Sequence, residues 1–374
     1  MSMRSAVILA MTAAAHLLAT SELTAQATLT IGPGQQFADV QAAVDSAQPG
    51  DELLVEPGVY GNLALPRGLT LRARIPGTVE LQTPLMHWIT VPAGEQAHLI
   101  GVRLGTTAIQ GDVACDECVF EAPNQALLCF NAILHLQDCC VKALAAPWSA
   151  ATASALEATD SLVLASGCEI LAATQNSGGP RAAIRLLGSS RLRCSHTRIV
   201  ADLDAGTLPA PAVVQPGANS HASVWLADSE ILAQPGVEAC EPRPERSARS
   251  LVTGPGVQAI LVPMAGARRT APPRLGEAFA VEFQIASNGL LLVFASAGLG
   301  DAHVPTLVEP ELLLEPTGLF SLGLAFAGVD GQVAMQWQLP STGVPVGAAL
   351  WIQGFDGSQL PIAAAPPVGG LLRR

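Results

Sequence analysis

Six copies of one eight-residue pattern run through the middle of this chain and limit it to very few architectures. They read AHLIGVRL (Ala97 to Leu104), VACDECVF (Val113 to Phe120), LHLQDCCV (Leu134 to Val141), VLASGCEI (Val163 to Ile170), LRCSHTRI (Leu192 to Ile199) and VWLADSEI (Val224 to Ile231). Positions one, three and eight are apolar in nearly every copy. Position six is small or a cysteine. A repeat of this length and β-type composition predicts a solenoid, in which each unit buries its inward side chains only by stacking on its neighbours. The pattern names a scaffold. It names neither a ligand nor a reaction.

The N-terminus has the layout of a secretory signal. Arg4 supplies the positive region, Ala6 to Ala19 the apolar region, and Ala25-Gln-Ala27 a small-residue cleavage site. The expected mature protein starts near Thr28 and is secreted, to the extracellular side or the cell envelope of a bacterium. No transmembrane segment is expected in it, because the apolar stretch is short and His16 interrupts it. The remaining length predicts two units. Hydrophobic residues make up 49% and charged residues 13%, so the chain is rich in core and thin in solvated helix faces. With 35 Gly and 28 Pro it has many turns, which suits an all-β chain. The net charge of −12 argues against nucleic acid and anionic polymers as partners.

Upstream of the repeats, Phe37, Val40, Ala43, Val44 and Ala47 form a helical stripe that Pro49-Gly50-Asp51 ends. Short β-type runs follow at Glu52 to Glu56, Leu63 to Leu65, Leu69 to Ala73 and Val79 to Leu81, separated by Pro-Gly turns. The segment QQFADVQAAVDSAQPGDELLVEPGVY (Gln35 to Tyr60) resembles the N-terminal cap and first coil of secreted right-handed parallel β-helix proteins of the pectate-lyase-like superfamily. The resemblance implies an all-β fold: a right-handed parallel β-helix with an N-terminal capping helix. Such a cap shields apolar core and strand edges that a bare terminal coil exposes.

The octapeptides start at 97, 113, 134, 163, 192 and 224, so the spacing widens along the chain and loops grow on one side of the coil. At about 20–30 residues per coil, the solenoid is expected to hold on the order of nine coils. Cys118, Cys139 and Cys168 share position six; Cys115 and Cys194 share position three. Stacking aligns them as inward ladders of small, reduced core residues. Cys129, Cys140 and Cys240 lie off those ladders and are the expected candidates for a disulfide.

Residues 28–265 are therefore assigned to the β-helix, and 266–275, rich in Pro and Arg, to a linker. From 276 to 374 the period is two. Phe279, Val281, Phe283 and Ile285 alternate; Asn288-Gly289 is read as a hairpin turn into Leu290 to Ala295. Phe320 to Phe326, Val333 to Leu339 and Ala349 to Phe355 continue the alternation. The expectation is a small antiparallel β-sandwich, similar to C-terminal β domains of secreted bacterial surface proteins.

Alternation along each strand turns positions two, four and seven outward. Position two carries His98, Ala114, His135, Leu164, Arg193 and Trp225, and position four includes Asp116. His98, Asp116, His135, Arg193 and Trp225 are the candidate ligand-binding residues. An aromatic ring gives a flat platform for a sugar, and arginine gives paired donors for a carboxylate. Position seven carries Arg103, Val119, Cys140, Glu169, Arg198 and Glu230. The resemblance implies two enzyme types, and neither signature is complete. Calcium-dependent pectate lyases gather several acids around the ion, which needs six to eight oxygens; Asp116 is the one acid at positions two and four. Polygalacturonase-like enzymes carry N-x-D, D-D, G-H-G and R-I-K, of which this chain has only Arg198-Ile-Val in the last place. Asp202 and Asp204 read as turn residues, His196 as a bend residue and His221 as part of a polar turn. No metal site or cofactor motif is found, and Cys115-x-x-Cys118 lacks a second pair for zinc. The expected function is a secreted, non-catalytic β-helix protein that binds a polysaccharide or another cell-surface component, or serves as a structural module. The alternative is a polysaccharide lyase or glycoside hydrolase with a divergent site on the β-helix face.

Overall fold

The computed structural model describes residues 27–374 except 124, 145–153, 173–181, 202–210, 217–220, 234–236, 238, 241–243, 247–249, 254–259, 262–264, 298, 303–307, 310–311, 315–318, 343–347, 359–361 and 374. The signal segment and Asp202 and Asp204 lie outside the described residues. Packing divides the chain into a solenoid unit, Gln26–Glu245 with Arg249–Ile260, and a C-terminal unit, Leu261–Arg374 with Arg246–Ala248.

The solenoid is a right-handed parallel β-helix, the hand that parallel strands joined by crossovers adopt. Its strands stack in three columns. The first runs from Thr28–Ile31 through Glu52–Val55, Thr70–Ala73 and Gln96–Ile100 to Leu162–Ser166, Arg191–Ser195 and Ser223–Ala227. The second is a nine-stranded parallel sheet from Gly58–Tyr60 to Leu251–Val252, which matches the expected number of coils. The third includes His87–Thr90, Ser154–Thr159 and Ile184–Leu187. Two long strands, Thr107–Asp116 and Gln125–Gln137, bend from the third column into the first, with a register shift between Ile109 and Gly111.

The octapeptides pair position for position. Val113 stands between Ala97 and Leu134, and Val163 and Leu192 follow in the same register as far as Val224. Position three makes a dry inner column, Leu53, Leu71, Leu99, Cys115, Leu136, Ala165, Cys194 and Leu226, all buried. Stacking works because every coil brings its apolar side chains to the same height; burying a side chain of that size contributes about 1.5–3 kcal/mol.

The corners explain the rest of the pattern. Position five is left-handed in every copy: Gly101, Glu117, Asp138, Gly167, His196 and Asp228 all have φ between 47° and 66°. Position six then turns inward and closes a polar ladder. The thiols of Cys118, Cys139 and Cys168 donate to the carbonyls of Leu99, Cys115 and Leu136 in the preceding coil at 3.3–3.4 Å. Thr197 and Ser250 hydroxyls donate in the same way to Ala165 and Leu226 at 3.1 and 2.9 Å. Small residues with an S–H or O–H fit this corner because it holds backbone groups that strand pairing cannot reach.

The one helix among the described residues, Val40–Ser46, buries Val40, Ala43 and Val44 in the solenoid core, and the Asp39 carboxylate accepts from Ala42 N–H at its N-cap. Asp51 ties the cap to the first coil, its two oxygens accepting from Ala27 and Gln48 N–H at 2.9 and 2.8 Å. The Tyr60 hydroxyl donates to Glu56 O at 2.8 Å and clips the following Pro-Gly turn. Among the described residues no helix is long and apolar enough to cross a membrane.

Two results correct expectations from the sequence. All eight cysteines are free, including Cys129, Cys140 and Cys240. Cys129 points into the core from the third column, and Cys240 is likewise buried; being off the octapeptide does not put a cysteine off the core. Nor is Asn288-Gly289 a hairpin turn. Ala278–Gln284 pairs with Gly266–Arg269 and Gln332–Gln338, whereas Leu290–Ser296 pairs with Phe320–Phe326 and Ala349–Asp356. The turn carries the chain from one sheet to the other, as Asp330-Gly331 also does. The C-terminal unit thus contains separate, mainly antiparallel sheets with a shared core that includes Phe279, Val281, Phe283, Leu291 and Val293.

Candidate functional site

The residues singled out at positions two and four do converge. Strand register stacks His98, Ala114, His135, Leu164, Arg193 and Trp225 on the outer side of the first column, with Asp116, Gln137, Ser166 and Ser195 in the next row. This side is not the open, solvent-lined face expected from alternation. Asp116, His135 and Arg193 are only 6%, 1% and 3% exposed, and His98 and Trp225 are half-buried. Alternation tells which way a side chain leaves its strand, not whether water lies beyond it.

The closed side has its own electrostatics. Burial pushes the His98 imidazole down to about 4; the Asp116 carboxylate opposes that shift and His135 adds to it. Burial and His135 together outweigh Asp116 and favour a neutral ring near pH 7. The Arg193 guanidinium lies 5.1 Å from the centre of the Trp225 ring, one coil away, and donates to Ser223 Oγ at 3.1 Å. The indole that sequence reading offered as a sugar platform therefore stacks on its neighbour's cation. Ser195 Oγ is 3.0 Å from His196 Nδ1, and His196 Nε2 is 3.9 Å from Asp228 Oδ2. The residue types are those of a nucleophilic triad, but the Ser195 side is fully buried and offers no approach to a substrate.

The second column is different. Its outward row reads Val59, Glu80, Arg103, Val119, Cys140, Glu169, Arg198, Glu230 and Leu251, one residue per coil. It meets solvent, and its charges alternate and pair. Arg198 bridges Glu169 at 3.0 Å and Glu230 at 3.7 Å. Glu121, two residues beyond Val119 on the same strand, is held between Arg103 at 3.3 Å and Lys142 at 3.7 Å.

At the early end of this column lies an open trough of about 780 Å³. It crosses three coils. Glu80, Gln82 and Thr83 come from the first, Arg103 and Thr106 from the second, and Glu121 from the third, with Pro84, Leu85 and Pro123 on the rim. The Gln82 amide donates to Glu80 Oε1 at 2.8 Å. Leu85 is 84% exposed. Mixed polar and apolar lining of this size is typical of small-ligand sites. Sequence reading noted the position-seven row but missed the trough, because Glu80, Gln82 and Thr83 precede the first octapeptide. Carrying the repeat register one coil upstream was the signal available.

The chemistry open to this trough is limited. General acid–base hydrolysis needs one carboxyl that keeps its proton near neutrality and a second that does not. Glu121 has a cation on each side, and Glu80 is engaged by an amide. Among the described residues no group of three or more His, Cys, Asp or Glu is placed to hold a metal ion.

No protein-family model matches the chain, and no curated protein matches its sequence. Among solved structures, the enzymatically active domain of tailspike protein 2 of bacteriophage CBA120 superimposes at 8% identity, over 85% of this chain and 66% of that one, with a TM-score of 0.27. The full-length tailspike protein 2 from an Escherichia coli O157:H7 bacteriophage does so at 10% identity, over 85% and 59%, with a TM-score of 0.25. The chain spans less than two thirds of either tailspike, and superpositions this distant carry neither a site nor an activity across.

Proposed function

We propose that this chain is a secreted, non-catalytic β-helix protein whose solenoid binds a glycan or another cell-surface component. Residues 1–27 act as the export signal. The solenoid, from residue 28 to Ile260, is a pectate-lyase-like coil that presents the ligand, and the unit from Leu261 onward is a small sandwich that serves as an attachment or interaction module; the expected 266–275 linker belongs to it, since Gly266–Arg269 pairs with Ala278–Gln284. One observation carries the reading: the open trough runs across three successive coils, as a polymer site does, while Glu121 is paired with Arg103 and Lys142 and Glu80 accepts from the Gln82 amide. The closed outer side of the first column, from His98 to Trp225, is read as a rigid backing layer.

The reading is tested by incubating the purified protein with plant, algal and bacterial polysaccharides. Retention without release of reducing or unsaturated ends is expected. Release of such ends that Glu80→Gln or Glu121→Gln abolishes would replace the binding protein with an enzyme.

A further inference from the structure

Resting on that glycan reading, the geometry points to neutral, hydroxyl-rich sugar chains as the ligand class of the trough, with Glu80 as the residue that turns polyuronates away. The lining holds two carboxylates, Glu80 and Glu121, and one cation, Arg103. That cation is committed to Glu121, as is the nearby Lys142. A uronate entering the trough therefore finds no free guanidinium or ammonium to pair with, and meets Glu80, which has no cationic partner among the described residues. Removing water from two like charges is unfavourable on both counts. The overall charge of −12 adds a long-range penalty of the same sign.

What the trough does offer suits a neutral sugar. The Glu80 carboxylate and Gln82 carbonyl are acceptors for adjacent hydroxyls, and the hydroxyls of Thr83 and Thr106 both donate and accept. Pro84, Leu85 and Pro123 give the C–H faces of a pyranose an apolar rim. Stacked coils repeat at about 4.8 Å, close to the advance of one extended sugar residue, so three coils present about three sugar subsites in register.

The test compares binding of a neutral β-glucan oligomer and an oligogalacturonate of the same length, by calorimetry, to the full chain and to two variants. Thr106→Trp fills the trough. Glu80→Arg, at a solvent-facing position, reverses its free charge without disturbing the core. The neutral oligomer is expected to bind the unmodified chain at least about tenfold more tightly than the uronate. Thr106→Trp should abolish neutral binding with an unchanged melting temperature, and Glu80→Arg should narrow the preference by about tenfold or more. Equal or tighter binding of the uronate to the unmodified chain overturns the ligand class while leaving the glycan reading standing. So does neutral binding that neither variant alters, which places the site elsewhere. Silence towards every oligomer overturns the glycan reading itself.

Discussion

The backbone N–H of Thr197 donates to the Ser229 hydroxyl at 3.1 Å, across one coil of the solenoid, and the N–H of Ser229 donates to Ser250 Oγ at the same distance. Each side chain passes its own hydrogen to a carbonyl at the bend. The corner is thus a vertical relay in which one small residue per coil closes two backbone groups. Cys118 and Cys139 repeat it with sulfur, at 3.4 Å.

Removing a member should cost more than its size implies. Ser229→Ala leaves the buried Thr197 N–H without its acceptor and the Ala227 carbonyl without the Ser229 hydroxyl. A loss of about 1–3 kcal/mol is expected. Ser229→Cys should cost clearly less, because three other coils use a thiol there. Urea unfolding of the two variants beside the parent checks the order; equal midpoints for alanine and cysteine would show that the relay contributes nothing.

This relay also marks how far the sequence could be read. Stacking demands the same inward pattern in every coil, so positions one, three and eight declared both the fold and its register. Cysteine at position six was legible as small and inward. Its hydrogen bonds were not, since the partner carbonyls lie a whole coil away in sequence. The same holds for the outer side of the first column: alternation aimed His135 and Arg193 outward correctly, but the closure above them depends on long-range packing. In the C-terminal unit, Asn288-Gly289 declared a turn. The run Leu290 to Ala295, apolar at every position, has side chains to bury on both faces of its strand, and that feature was the available hint that it is a central strand and not one arm of an isolated hairpin.

Asp138 and Gly167 occupy the same bend in successive coils. Gly167 has φ +66°, and a Cβ added there would overlap Asp138 Oδ1. Gly77 has φ +78° with nothing within 4 Å of the equivalent position. Gly77→Ala should therefore lose only the left-handed backbone preference, about 1 kcal/mol. Gly167→Ala should lose that and displace a carboxylate, for a total of about 2 kcal/mol or more. Thermal unfolding of the two variants separates them; equal losses would mean that the Asp138 side chain moves aside freely.

Two histidines make the solenoid acid-sensitive. His87 accepts the Leu63 N–H on Nδ1 at 3.1 Å, with Leu81 O at 3.1 Å from Nε2. A neutral ring can do both, donating through Nε2; the imidazolium cannot accept. Burial lowers its pKa, against a smaller opposing effect of the Leu81 carbonyl, and burial holds His98 at about 4. Between the free histidine value of about 6.5 and these lowered values, the unfolded chain binds more protons than the folded one. Stability is then fully present above about pH 6.5 and is lost as pH falls towards 4. Denaturation midpoints at pH 7, 5.5 and 4.5 should decline, and His87→Gln combined with His98→Asn should flatten that decline. A parent protein equally stable at all three values would contradict the assignment of neutral rings.

Cys140 differs from the other seven thiols in being only half-buried, on the solvent-facing row of the second column. Burial raises its pKa above the ordinary 9.0, and Glu169 adds to the rise while Lys142 opposes it. The thiolate is the reactive form, so attack on a disulfide reagent should be slow at pH 7 and speed up towards and beyond pH 9. In the native protein one thiol should titrate with an aromatic disulfide reagent, and Cys140→Ser should remove that signal. In denaturant without reductant all eight should titrate. Fewer than eight after unfolding would reveal a bridge, and two or more fast thiols in the native state would mean that the inner ladder is open to solvent.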